Sequence, residues 1–310
     1  MSLDPQVRGL LDALKAQGLK GFEEMTVPES RATAQAFLGL QGDAEPVADV
    51  SNHSVAVKGG SIPVRVYRPA GTGPHPAVVY FHGGGFVFGD IDLVDKVARS
   101  LCNAAKATIV SVGYRKAPEH PYPTAPEDCY AALLWTSANA ATLGVDAARI
   151  AVIGDSAGGN LAAVMTQMTR DRKGPKIVHQ VLVYPVVDAG GDYPSRTENA
   201  AGYLLTSKAM TWFFGHYFTK PGQSDEPYSS PIRGNLAGLP AATVITAGFD
   251  PLRDEGDAYA AALTKAGVKV DHIRNPTMIH GFFWMKGVID HTAGVFEQIG
   301  ANLRGAFAKG

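Results

Sequence analysis

Apolar residues in this chain keep two rhythms in turn. Short, nearly unbroken apolar runs stand at 77–81, 107–113, 150–154, 178–184, 242–247 and 268–273, the pattern of parallel strands covered on both faces. Between them lie longer stretches with spaced apolar positions, at 92–105, 126–138, 160–169 and 253–265, which read as amphipathic helices. Strand and helix in alternation predict a doubly wound α/β sheet. Upstream, 55–57 and 62–67, broken by Gly59-Gly60, read as an antiparallel hairpin.

Two segments depart from this rhythm. Val7, Leu10, Leu11 and Leu14 recur at i, i+3, i+4 and i+7, and Ala32, Ala36, Phe37 and Leu40 suggest a second helix after Pro28; both precede any strand. Between Asp188 and Pro240, about fifty residues carry no strand pattern but do carry aromatic clusters at Tyr203, Trp212-Phe213-Phe214 and Tyr217-Phe218. A structureless loop of that length is improbable, so helices that pack elsewhere are expected there. The predicted organisation is one catalytic domain, 46–189 with 236–310. Residues 1–45 and the insertion 190–235 form a helical cap over the carboxyl edge of the sheet, where open α/β sheets bind ligands.

Composition narrows the choice of function. The chain of 310 residues has a formal charge of -1 and a predicted pI near 6.8, with Lys and Arg scattered, which leaves no basic footprint for nucleic acid. No run of about 18 apolar residues occurs, and the start lacks a basic region followed by an apolar stretch, so a cytoplasmic protein without a membrane span is expected. Cys102 and Cys129 show neither metal nor redox spacing and read as buried thiols.

Against that background Gly154-Asp155-Ser156-Ala157-Gly158 stands out. It follows the run 150–153 and opens the helix-like stretch from Asn160. Strand, tight turn and helix mount a serine at the carboxyl end of a strand, and small neighbours let the backbone bend. A serine hydroxyl needs a base, and the base an orienting acid. Asp250 follows the strand 242–247, and His280 follows the last predicted strand. Ser, Asp and His thus occur in the order of triads on such a sheet. Attack on a carbonyl also needs fixed donors for the oxyanion. Gly84 and Gly85, in His82-Gly83-Gly84-Gly85-Phe86 after the strand 77–81, are assigned to that hole with the N–H of Ala157.

Neighbouring polar residues receive plainer roles. His82 is read as fixing its loop by donating to backbone, and Asp155 as a structural hydrogen-bonding residue. Asp188 is read as structural or as pocket wall. Asp254, Glu255 and Asp257 are read as acids answering the dipole at a helix start. Tyr114, Arg115, Glu119 and His120 are expected to form a buried polar network behind the glycine loop. Phe37, Phe88, Leu205 and Phe213 are candidates for the substrate pocket.

Taken together, HGGGF (82–86), YRKAPEHPYP (114–123), GDSAGGN (154–160), YPVVD (184–188), DPLRDEG (250–256) and HGF (280–282) resemble the hormone-sensitive-lipase-like family of α/β-hydrolases, the bacterial family IV carboxylesterases, in its GDSAG subgroup. The matching segments run in family order from about residue 50 to the end, with no departure at a catalytic position. The resemblance implies a mostly parallel eight-stranded sheet with helices on both faces and a helical cap. It implies a serine carboxylesterase acting on short- to medium-chain esters through an acyl-enzyme, with no cofactor or metal. It also allows a homodimer joined at the last strand or its following helix. Two other readings stand beside it: an amidase or peptidase on the same triad, and a ligand-binding receptor of the same fold, which would have lost the histidine that this chain keeps.

Overall fold

The computed structural model describes residues 2–309. The chain opens with helices α1 (Pro5–Ala16) and α2 (Val27–Ala34). There follow strands β1 (Asp49–Val57), β2 (Gly60–Arg68) and β3 (His75–Phe81), α3 (Asp95–Ala105), β4 (Thr108–Val112), and helices α4 (Thr124–Ala138) and α5 (Ala140–Leu143). The second half runs β5 (Val145–Asp155), α6 (Ala157–Asp171), β6 (Ile177–Val183), α7 (Pro194–Glu198), α8 (Ser207–Tyr217), β7 (Ala241–Phe249), α9 (Arg253–Lys265), β8 (Val270–Ile279) and α10 (His291–Phe307).

The described residues form one eight-stranded sheet in the order β1-β2-β4-β3-β5-β6-β7-β8. The pairs β1–β2 and β2–β4 are antiparallel and all others parallel. The expected α/β-hydrolase architecture is therefore the one observed. From β3 the chain crosses leftward through α3 to β4, then back through α4 past β3 to β5. With right-handed crossovers, reversing direction puts α3 and α4 on opposite faces. α10 packs beside α3, and α6 beside α4. The reversal also opens a crevice at the carboxyl ends of β3 and β5. Every residue of β4, and residues 77–81 and 150–155, are buried, which explains why those strands read as unbroken apolar runs. Cys102 and Cys129 are free and buried.

Three boundaries differ from the pattern. The hairpin begins at Asp49 rather than 55, because β1 is an edge strand and its half-exposed face is too polar to announce itself. β8 runs through Pro276 to Ile279, a proline tolerated because β8 is the opposite edge. α2 starts before Pro28, capped by Thr26 with Glu29 in a capping box, and gives way after Ala34 to a 3₁₀ turn over Gln35–Leu40.

Candidate active site

β5 delivers Ser156 at its carboxyl end, between strand and α6, with φ 56° and ψ −119°. A non-glycine residue at positive φ is strained and persists only where its surroundings over-determine it. Here the Ser156 N–H donates to Val183 O at 2.9 Å, and Ser156 O accepts from Asn160 N at 3.0 Å. α6 must also approach β3 closely: a Cβ on Gly158 would stand 1.9 Å from Phe81 O. The motif thus encodes a steric requirement at the turn.

The three residues expected to act together meet. Asp250, fully buried after β7, accepts at Oδ1 from Leu252 N (2.8 Å) and at Oδ2 from His280 Nδ1 (2.8 Å). A carboxylate can only accept, so Nδ1 of His280 carries the proton and Nε2 offers its lone pair. Ser156 Oγ donates to that Nε2 at 2.9 Å. A hydroxyl, an imidazole and a carboxylate are thereby linked in series, with His280 8 % exposed.

The glycine loop after β3 faces this chain of bonds. Gly84, at φ 116°, takes a conformation that side-chain-bearing residues rarely adopt. Its carbonyl accepts from Val87 N and Phe88 N, both at 3.0 Å, which closes the turn. Gly84 and Gly85 line the same cavity as Ser156, and Ala157 follows Ser156 as the first residue of α6. The amides of these three residues donate to no acceptor among the described residues. Tyr114 Oη donates to His82 O at 2.8 Å, and Ala117 N donates to Phe86 O at 2.9 Å. His82 donates from Nδ1 to Gly83 O at 2.7 Å, and burial lowers its pKa to about 3, so it is neutral and holds backbone.

The cavity encloses about 690 Å³ including its mouth. Phe37, Phe88, Leu205 and Phe213 all line it. Phe22 stacks on Phe88 with centroids 5.0 Å apart and meets Phe213 at 5.5 Å, while Phe37 stands edge-on to Trp284 at 5.8 Å. Residues ahead of the first strand and in the insertion before β7 thus supply most of the apolar wall. Tyr184, Met210, Leu252 and Trp284 also line it and were missed. Tyr184 and Trp284 had a signal, since one follows β6 directly and the other lies four residues beyond His280. Met210 and Leu252 look like any buried aliphatic.

Asp155 lines the cavity beside Ser156 but is buried, accepting from Tyr80 Oη at 2.8 Å; burial raises its pKa to about 6, consistent with the structural role. Asp188 is structural: Arg233 Nε donates to it at 2.8 Å and Tyr193 Oη at 3.0 Å. Two expectations need correction. The network behind the glycine loop is buried only in part: Tyr114 is buried and Arg115 pairs with buried Asp128 at 2.7 Å, but Glu119 and His120 are exposed, and Glu119 instead binds Arg31 of α2 at 2.6 Å. The acids at the start of α9 are also more than a response to the dipole. Glu255 is fully buried against Arg196 at 2.6 Å, with its pKa raised by burial to about 7, while Asp254 accepts from Ser195 N and Asp257 from Thr246 Oγ1. No cluster of side chains suited to a metal ion occurs among the described residues, and no helix there is long and apolar enough to cross a membrane.

Known proteins resemble this chain in sequence and fold. A family profile described as alpha/beta hydrolase fold matches residues 78–284. A carboxylesterase of Mycobacterium tuberculosis is 48% identical over 226 residues, 71% of each chain. An ethyl acetate hydrolase of Pseudomonas putida is 35% identical over 303 residues, 94% of this chain and 95% of that one. The structure of a hyperthermophilic esterase from the archaeon Pyrobaculum calidifontis superposes with a TM-score of 0.94 at 43% identity, covering 98% of this chain and 99% of the other. With the profile spanning most of the sheet and two of these relatives extending over nearly the whole length, the chain belongs to the α/β-hydrolase family.

Proposed function

We propose that this carboxylic ester hydrolase is a serine carboxylesterase of the GDSAG group, acting on short- to medium-chain esters. Ser156 Oγ attacks the ester carbonyl as its proton passes to His280 Nε2. Asp250 keeps the imidazole oriented and stabilises the imidazolium that forms. The carbonyl oxygen becomes an oxyanion held by the amides of Gly84, Gly85 and Ala157, which are in place before the charge develops; each such donor is worth about 10²–10³ in turnover. Collapse of the tetrahedral intermediate breaks the bond to the alkoxy oxygen, which leaves as alcohol with the proton from His280. Water then attacks the acyl-enzyme, giving its proton to His280, and Ser156 recovers its own as the acid departs.

The observation that carries the reading is the Ser156–His280–Asp250 series, at 2.9 and 2.8 Å, with Ser156 and His280 lining an apolar cavity. The intact imidazole favours hydrolysis over a receptor role. Residues 1–45 and 190–235 act as the cap, and Phe37 with Trp284 limits acyl length. Ser156→Ala tests the mechanism: the folded variant should lose at least about 10⁴-fold in kcat on p-nitrophenyl butyrate with an unchanged melting temperature. Retained turnover would remove Ser156 from its role.

A further inference from the structure

The acid is held in place by a part of the chain that lies far from it in sequence and outside the sheet. α7, in the insertion between β6 and β7, lies against the loop that carries Asp250, and three polar side chains of α7 and its cap bind it there. Asn199, which caps α7 and is 4 % exposed, donates from Nδ2 to the Asp250 carbonyl at 3.1 Å and to Gly248 O at 3.3 Å. Ser195, fully buried, donates from Oγ to Pro251 O at 2.7 Å and accepts from Asp254 N at 3.2 Å. Arg196 donates to buried Glu255 at 2.6 Å, and Glu255 in turn accepts from Val187 N at 2.8 Å. Residues 248, 250, 251, 254 and 255 are thus each held by a side chain of α7 or its cap.

β7 alone does not supply this restraint. Its pairing with β8 shifts register between Ala247 and Phe249, so the ladder is irregular just where the chain must turn Asp250 toward His280. Gly248 lies within that irregularity and Asp250 just beyond it, and the Asn199 amide bridges their carbonyls. From this geometry we infer that Asn199 is a positioning residue for the reaction: it fixes the backbone of Asp250 and, through the Asp250 carboxylate, the imidazole of His280. The insertion that covers the substrate therefore also sets the acid. The inference rests on the Ser156–His280–Asp250 reading above, and it asks for little movement, since a misplacement near 1 Å can cost about 10²-fold in rate.

The test compares Asn199→Ala and Asn199→Asp with the unsubstituted enzyme on p-nitrophenyl butyrate, per active site titrated with an organophosphonate. Asn199→Asp keeps the shape and loses the donor; Asn199→Ala provides the answer if the aspartate variant fails to fold. kcat should fall by about 10- to 100-fold with KM within about threefold, and the acidic limb of the kcat/KM profile should move to lower pH, because a poorly placed carboxylate stabilises the imidazolium less. In an Asp250→Asn background the same substitution should cost no more than about twofold, as residues acting through one another are not additive. A fall in melting temperature with kcat and the acidic limb unchanged would overturn the inference, and so would an equal loss in both backgrounds. Ser156→Ala or Asp250→Asn retaining full activity would overturn the underlying mechanism instead, so the two failures are separable.

Discussion

The elbow that holds Ser156 and the aromatic wall of the cavity beside it are built on opposite principles. At the elbow, backbone packs on backbone: Gly158 lies against Phe81 O, Ser156 is held at positive φ, and the surrounding strands are buried on both faces. At the wall, aromatic side chains from the chain start and the insertion meet each other, Phe88 and Trp284 at 5.0–5.8 Å, and Phe22, Phe37 and Phe214 are only partly buried. A backbone contact of this kind tolerates no added atom, whereas an aromatic contact can be trimmed and refilled. On the proposed function, chemistry is placed on the part that cannot vary, and substrate selection on the part that can.

The sharpest way to break this contrast is Gly158→Ala. Its Cβ would fall 1.9 Å from Phe81 O and 2.7 Å from His82 O, both backbone atoms, so strand and helix must separate. We expect kcat on p-nitrophenyl butyrate to fall by about 10²-fold or more, with a melting temperature several degrees lower; near-normal values would show that the elbow is adaptable after all. At the wall, Phe37→Ala should leave the p-nitrophenyl acetate rate within about threefold and raise the decanoate-to-acetate ratio of kcat/KM by about tenfold, as the cavity lengthens past Trp284. An unchanged ratio would place the length limit elsewhere.

The smallest effect belongs to a third region that serves as control. His179 in β6 is 6 % exposed, and Thr243 Oγ1 is its partner at 2.9 Å. Burial lowers its pKa from 6.5 to about 4. Below pH 6.5 the unfolded chain takes up a proton that the native imidazole refuses until about pH 4, so stability falls as pH falls through that window. His179→Gln should therefore lose less stability than the parent between pH 7 and 5, by at most about 2 kcal/mol, read as a gap of a few degrees between the two melting curves. Its kcat should not change, because the cavity does not include it. Parallel melting curves would assign the acid sensitivity to other groups.

The order of strands and helices was legible because strands covered on both faces must be apolar throughout, as 77–81 and 150–154 are. Ser156, Gly84 and Gly85 were legible because each sits in a motif whose residue types answer a local demand: a bend, a bare amide, a close approach. Asp250 and His280 were legible by position, one residue or a few beyond a strand. The edges of the sheet were harder, since β1 is half solvated and β8 carries a proline. Glu255 was misread because an acid in the first turn of α9 has a sufficient local explanation, and only the fold shows Arg196 across from it.

By itself, then, the sequence determined the features with short-range causes: the alternation of elements, the strained turn at Ser156, the glycine loop and the supply of a base and an acid in the right order. Tertiary structure alone decided that Phe22, Phe37, Met210 and Trp284 share one cavity, that Arg31 reaches Glu119, and that α7 seats the loop of Asp250. Those pairings join residues between tens and hundreds of positions apart, and a side chain carries no mark of its distant neighbour until the sheet's crossovers bring the two into contact.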